Sequence, residues 1–279
     1  AILGKLPYCY EVVPSDRGGH WQMVLKPLEA RGLFDRLIAE FGEQFLFVSA
    51  TTGTAEGFKA AHGMTCGLKR IEIPSPFPAQ NRPVIIHPVA NMSSKTYERD
   101  LPEMLRAISS LVQSTGGANK SQDHQNQRGI IHTYTTKLTN SIYDHLKKNG
   151  LGHRAIILKG SGNDREEAMK RFKSIPNGIL ISPSAMLGLS LNDDLARWQI
   201  IAKVPYAYLG DESIKHRKEV IDGWYEWQTA KDLIQTLGRI VRSKDDWGYT
   251  YILDECFVKF YRYNKDSFPS YVKEAFHGV

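Results

Sequence analysis

Short apolar runs alternate with amphipathic stretches along most of the chain. The runs Tyr8–Val13, Gln22–Lys26, Phe45–Ser49, Pro83–Pro88, Gly129–His132, Arg154–Leu158, Gly178–Ser182, Gln199–Val204 and Tyr249–Asp254 are expected to be strands. Several are rich in Ile and Val with little alternation, the pattern of strands buried on both faces of a parallel sheet. Helical stripes lie between them. Leu138, Ile142 and Leu146 recur at four-residue spacing, and Ala168, Met169 and Phe172 make a stripe that starts near a capping Asn163-Asp164. From about residue 129 onward this alternation predicts a doubly wound α/β domain. Residues 114–127 are polar and glycine-containing, hence a surface loop. Residues 75–83 hold three prolines and should be extended, which places a boundary between a lead segment, 1–82, and a main domain, 83–279.

Composition narrows the class. With 279 residues, 42% hydrophobic and 24% charged, the chain suits one large domain or two small ones around an ordinary core. A net charge of +6 fits a polyanionic partner. Cys9, Cys66 and Cys256 are scattered and odd in number, so neither a disulfide framework nor a zinc site is expected. No apolar run approaches the roughly 18 residues of a membrane helix, and the start has neither a signal-peptide layout nor an initiator Met, as a fragment or processed product would. A cytoplasmic or nucleoid-associated protein, with no membrane partner, is the expectation.

The chemistry concentrates in Gln235-Thr-Leu-Gly238-Arg239-Ile-Val-Arg242. If the segment is helical throughout, spacings of four and three put Gln235, Arg239 and Arg242 on one face, with Ile234, Leu237 and Val241 packing beside it. Guanidinium forks match phosphate oxygens and stabilise charge on a transferring γ-phosphoryl group. Gly238 leaves room for a ligand or another backbone. The bland alternative is a solvated basic helix face.

The pattern resembles motif VI of superfamily 2 helicases. The longer run from Trp224 through Arg242, followed by Asp246-Trp-Gly248 and a strand ending in Asp254, resembles the DinG/XPD branch. Other segments follow in that family's order. Ser49-Ala50-Thr51 resembles motif III, which couples the ATP state to DNA, and Gly129–His132 with Thr133-Tyr134-Thr135 resembles motif IV. Residues 181–195 resemble motif V, with Leu187-Gly188-Leu189-Ser190 where the family carries an acidic residue in place of Ser190. The resemblance covers nearly everything from about residue 20.

What it implies is a RecA-like parallel sheet flanked by helices, the second motor domain of an ATP-dependent DNA helicase with roles such as DNA repair. It assigns Arg239 and Arg242, with Gln235, to catalysis, and Gly188, Ser190 and Gly238 to the ATP interface. His132, Thr133, Thr135 and Ser184 would touch single-stranded DNA. ATP and Mg2+ would be held mainly by an N-terminal motor domain of the same protein, because no GxxxxGK[ST] loop occurs here. An iron–sulfur cluster belongs, if anywhere, to that other part, since three scattered cysteines cannot supply four thiolates. Asp254-Glu255-Cys256-Phe257 mimics an acidic ATPase box but falls after the arginines and is expected to be structural. Two other readings stand beside this one. The first is a catalytically silent nucleic-acid-binding or docking module derived from such a helicase. The second is a Rossmann-type binder, against which Gly160-Ser161-Gly162 lacks the third glycine of the fingerprint.

Overall fold

The computed structural model describes residues 8–14, 19–28, 30, 32–116, 122–158, 162–183, 191 and 193–278. In chain order, β1 (Tyr8–Pro14) and β2 (Trp21–Pro27) precede α1 (Leu33–Leu37) and α2 (Ala55–His62). Then come β3 (Val84–Ala90), α3 (Tyr97–Val112), β4 (Gly129–His132), α4 (Thr136–Lys148), β5 (Ala155–Ile157), α5 (Asn163–Ser174), β6 (Ile179–Ser182) and β7 (Trp198–Ile201). The chain closes with α6 (Glu212–Val220), α7 (Trp224–Leu237), β8 (Tyr249–Asp254), α8 (Cys256–Asn264), α9 (Ser270–Lys273) and β9 (Phe276–His277). Contacts divide it into two compact units, one formed by Ala1–Glu72 with Tyr206–Lys231, the other by Ile73–Pro205 with Asp232–Val279.

The larger unit is a seven-stranded sheet in the order β5-β6-β4-β7-β8-β3-β9, with parallel pairing throughout. Its central strands are apolar on both sides, as the sequence pattern requires. Ile131, Ile179, Ile181 and Ile200 face a cluster completed by Met104, Ile108 and Val112 of α3 and Leu138, Ile142 and Leu146 of α4. Their neighbours Ile130 and Leu180 point the other way, into a cluster with Ile156, Phe172 of α5, Leu191, Ile240 and Val241. Successive residues of a strand alternate faces, so a run such as Ile179-Leu180-Ile181 fills both layers at once. Helices therefore cover the sheet on both faces, the expected α/β architecture. A sharper packing detail sits at the head of β4, where Trp198 is fully buried against Gly129. The indole donates to the Gln127 carbonyl at 3.2 Å.

The smaller unit pairs β1 and β2 as an antiparallel hairpin, Tyr8 opposite Pro27 and Pro14 opposite Trp21. Thr54 caps α2 by accepting from the Gly57 N–H at 3.1 Å, and Gly63 ends it in a left-handed conformation. Trp224, Tyr225 and Trp227 form its own apolar cluster with Ala61 and Ile214.

Two expectations are corrected, and one element was not foreseen. Phe45–Ser49 is not a strand: residues 44–49 run without a ladder partner among the described residues. Phe45 and Phe47 turn inward onto Phe34 at ring separations of 5.4 and 5.8 Å, while Leu46 and Val48 are each 86% exposed. The segment has a strand's alternation and no neighbour to bond. The β7 strand stops at Ile201, because beyond it the Asp254 carboxylate accepts from the Val204 N–H at 2.8 Å in place of a ladder bond. Helix α3 was not among the expected elements, although Met104, Ile108 and Val112 recur at the same spacing as the stripe of α4.

A methyl group on Gly129 would lie 2.0 Å from the Trp198 ring. Gly129→Ala should therefore lower unfolding stability by roughly 1–3 kcal/mol, the usual cost of overpacking. A urea midpoint equal to that of the unaltered protein would show that this contact is not tight.

Candidate functional site

The arginine segment begins where α7 ends. Gly238 N–H donates to the Ile234 carbonyl at 3.2 Å, the last helical bond, and Arg239 N–H folds back to the Thr236 carbonyl at 3.1 Å. That tighter bond closes the helix, so Arg239 and Arg242 lie in the loop after it. The expected single helical face carrying Gln235, Arg239 and Arg242 is thereby corrected. Gly238, a weak helix former, stands where the helix stops, and beyond it Ile240 and Val241 are both buried in the core. Gln235 sits half-buried in the last turn of α7. Gly238 is exposed, and a side chain there would meet nothing closer than 3.7 Å within the chain.

Asp246, buried, fixes the loop. One carboxylate oxygen accepts from the backbone N–H of Asp193 at 3.2 Å and Trp247 at 2.9 Å, and from the Arg197 guanidinium at 2.8 Å. The other accepts from Arg242 N–H at 3.0 Å. Arg197 also lies 4.5 Å over the Trp247 ring. The backbone of Arg242 is thus held while its side chain stays exposed. Arg239 is the opposite case, 9% exposed. Burial lowers its pKa from the ordinary arginine value, and the positive charges of Arg242 and Arg165 lower it further. Arg242, from the loop, and Arg165, from the first turn of α5, are thus both within electrostatic reach of Arg239. Such a gathering of like charge favours an anion.

At the tip of β4 the polar side chains turn inward. His132, 1% exposed, bonds through Nε2 to the Gln199 amide oxygen at 3.1 Å. The Gln199 amide nitrogen donates to the Leu237 carbonyl at 3.3 Å and the Thr250 hydroxyl at 2.8 Å. Nδ1 of His132 is buried and has no hydrogen-bond partner among the described residues. Burial pushes the imidazole pKa down to about 4, which keeps it neutral. Thr133, fully buried, spends its hydroxyl on Thr139 at 2.6 Å and on the Ser182 carbonyl at 3.0 Å. Direct DNA contact by His132 and Thr133 does not fit this burial, because both side chains are committed inside the sheet. Thr135 caps α4, accepting from Leu138 N–H at 3.3 Å. Between them Tyr134 adopts φ +54°, a left-handed conformation costing a non-glycine residue about 1 kcal/mol or more. Its ring stacks on His132 at 6.2 Å, and its phenol bonds to the Thr236 hydroxyl.

In the smaller unit Ser49 and Ala50 are exposed, and Thr51 N–H donates to the Ser49 hydroxyl at 3.2 Å, a local turn. The chain then passes Trp227, whose indole donates to the Thr52 carbonyl at 3.1 Å. Gly53 and Gly57 let the indole in, since a methyl at either would fall 2.2 Å from it. Ser184, Gly188 and Ser190 lie outside the described residues. Asp254 is structural, as expected: its carboxylate accepts from the backbone of Met92, Cys256 and Val204 at 2.8–3.1 Å. Sequence reasoning missed Arg165, Arg197, Gln199 and Thr236. Arg165 sits among charged residues of an exposed helix start, and nothing in its spacing separates it from a solvated face.

Residues 119–275, more than half of the chain, match the family described as helicase C-terminal domain. The chain belongs to that family, in agreement with the DinG/XPD resemblance carried by its motifs. It is 23% identical over 257 residues to ATP-dependent DNA helicase YoaA of Escherichia coli (strain K12), covering 86% of this chain and 37% of that protein. It is 25% identical over 151 residues to the Fanconi anemia group J protein homolog of Gallus gallus, covering 43% of this chain and 12% of that protein. Among solved structures it is similar to domain 2 of the DEAD-box helicase Mss116p bound to an RNA duplex, at 16% identity and a TM-score of 0.45, covering 66% and 59% of the two chains. The chain thus spans well under half the length of these curated relatives. Among the described residues, no helix is long and apolar enough to cross a membrane.

His132 and His124 give the larger unit a pH signature. Burial depresses both rings to about 4, from an ordinary 6.5. The unfolded chain then takes up protons first as pH falls. Their stabilising contribution is whole above pH 6.5 and is lost between 6.5 and 4, on the order of 3 kcal/mol for each ring. His132→Gln should flatten the fall in urea midpoint across that window. An equally steep fall in the variant would contradict the buried neutral ring.

Proposed function

We propose that this chain is the C-terminal motor domain of an ATP-dependent DNA helicase that translocates on single-stranded DNA. In this reading residues 83–279 act as the second RecA-like domain, and residues 1–82 as a lead segment carrying Ser49, Ala50 and Thr51. ATP and Mg2+ are held mainly by an N-terminal motor domain of the same protein. Arg239 and Arg242 serve as arginine fingers toward the γ-phosphate, Gln235, Gly238, Gly188 and Ser190 line the ATP interface, and Thr135 and Ser184 meet the DNA backbone. The protein works in the cytoplasm or on the nucleoid.

The observation that carries this reading is the near-burial of Arg239 in the loop after α7, where the charges of Arg242 and Arg165 both act on it. A partly desolvated guanidinium beside two others is suited to a polyphosphate whose charge grows in the transition state. What this chain's residues do is orient and neutralise: the Asp246 carboxylate fixes the backbone of Arg242, and the exposed guanidinium is left to reach a ligand. The bound nucleotide supplies the phosphoryl chemistry.

In the full-length parent, Arg242→Ala should keep the melting temperature and single-strand DNA binding close to normal while lowering DNA-stimulated ATP turnover by about 10³-fold or more. Arg242→Lys should rescue poorly, since lysine retains charge without the planar fork. Near-normal turnover by Arg242→Ala would remove that residue from the ATP site. Near-normal turnover by both Arg242→Ala and Arg239→Ala would favour the catalytically silent module instead.

A further inference from the structure

We propose that Tyr134 is a positioning residue for the arginine loop, acting through the Thr236 hydroxyl and backbone at the end of α7. The inference rests on the helicase reading above and goes beyond it, because Tyr134 and Thr236 lie within the matched motifs but are assigned no role by the resemblance.

The geometry is a short relay with a defined direction. Thr236 donates its hydroxyl proton to the Asp232 carbonyl at 2.8 Å. Its oxygen is then left as acceptor, so the Tyr134 phenol is the donor in the bond they share. The same Thr236 offers its backbone carbonyl to Arg239 N–H at 3.1 Å, the bond that ends the helix and starts the arginine loop. One residue on, the Leu237 carbonyl is held by Gln199, which His132 holds in turn. The tip of β4 therefore grips two consecutive residues at the point from which Arg239 departs.

The backbone supports the same conclusion. Tyr134 is one of two non-glycine residues with positive φ among those described. An unfavourable conformation in a bulky residue persists where its surroundings over-determine it. Here the stack on His132 and the bond to Thr236 do so. The residue after it caps α4, so the β4 tip is anchored both before and after Tyr134.

The test uses the full-length parent, with ATP as substrate and single-stranded DNA as activator. Tyr134→Phe and Thr236→Val each remove the shared bond. Each should lower kcat about tenfold or more, the scale of a slightly misplaced catalytic group, with KM for ATP within about twofold. The double variant should be no worse than the worse single one, because one bond is lost in all three. Thr236→Ser keeps the hydroxyl and should restore turnover. Should Tyr134→Phe fail to fold, the Thr236→Val and Thr236→Ser pair decides alone. Turnover within twofold of the unaltered protein in the phenylalanine or valine variant, additive losses in the double variant, or no rescue by serine would overturn the proposal. Arg239→Ala separates the two levels: if it is inactive while Tyr134→Phe is normal, only this inference fails. If Arg239→Ala turns over normally, the helicase reading of the arginines fails first.

Discussion

The carboxylate of Asp246 is the constraint on which the candidate site depends. It is buried, it is paired with Arg197, and it accepts from three backbone N–H groups of two separate segments. A buried charge is tolerable only when its lone pairs are satisfied in this way. Removing the partner set would leave an uncompensated charge, and removing the carboxylate would free three backbone donors and the Arg197 guanidinium at once. The loop from Gly238 to Trp247 is consequently a fixed structure despite having no regular secondary structure. Arg242 gains from this a rigid backbone under an exposed side chain, the combination a group needs if it is to meet a ligand in one geometry.

The sheet supplies the other half of that rigidity. Ile240 and Val241 occupy the same apolar layer as Ile130, Leu180 and Phe172. The arginines flank residues that are part of the core. The backbone on either side of a buried apolar pair cannot shift without opening that layer. On the far side of the strand tip, His132, Gln199 and Thr250 form a polar seam inside an otherwise apolar sheet. Such seams are costly unless satisfied, and here the satisfied groups lead to the end of α7.

Much of this was legible in the sequence, for stated physical reasons. The strands Gly129–His132 and Tyr249–Asp254 have the bounds read from their sequences, because a short run buried on both faces lacks the alternation of a half-exposed strand. The helix of Leu138, Ile142 and Leu146 follows from spacing alone. Phe45–Ser49 misled because alternation describes which residues face inward, and a ladder also needs a neighbouring chain. The helical face for Arg239 and Arg242 misled because a spacing of four and three is necessary for a shared face without being sufficient. Gly238, a weak helix former, was the one local signal that the helix could stop there. His132 and Thr133 were read as DNA contacts from their place at a strand end; their burial depends on Gln199, Thr139 and Ser182, which only the fold brings beside them. Arg165 carries no local signature at all.

The central claim is that this chain holds the arginine part of an ATP site whose nucleotide-binding part lies elsewhere in the parent. The most direct measurement is steady-state hydrolysis of Mg-ATP by the purified 279-residue chain at saturating single-stranded DNA. The account predicts a folded protein with turnover at background. Sustained turnover above about 1 s⁻¹, within the ordinary enzymatic range, and abolished by Arg239→Ala, would contradict it by showing that the chain binds and hydrolyses ATP alone.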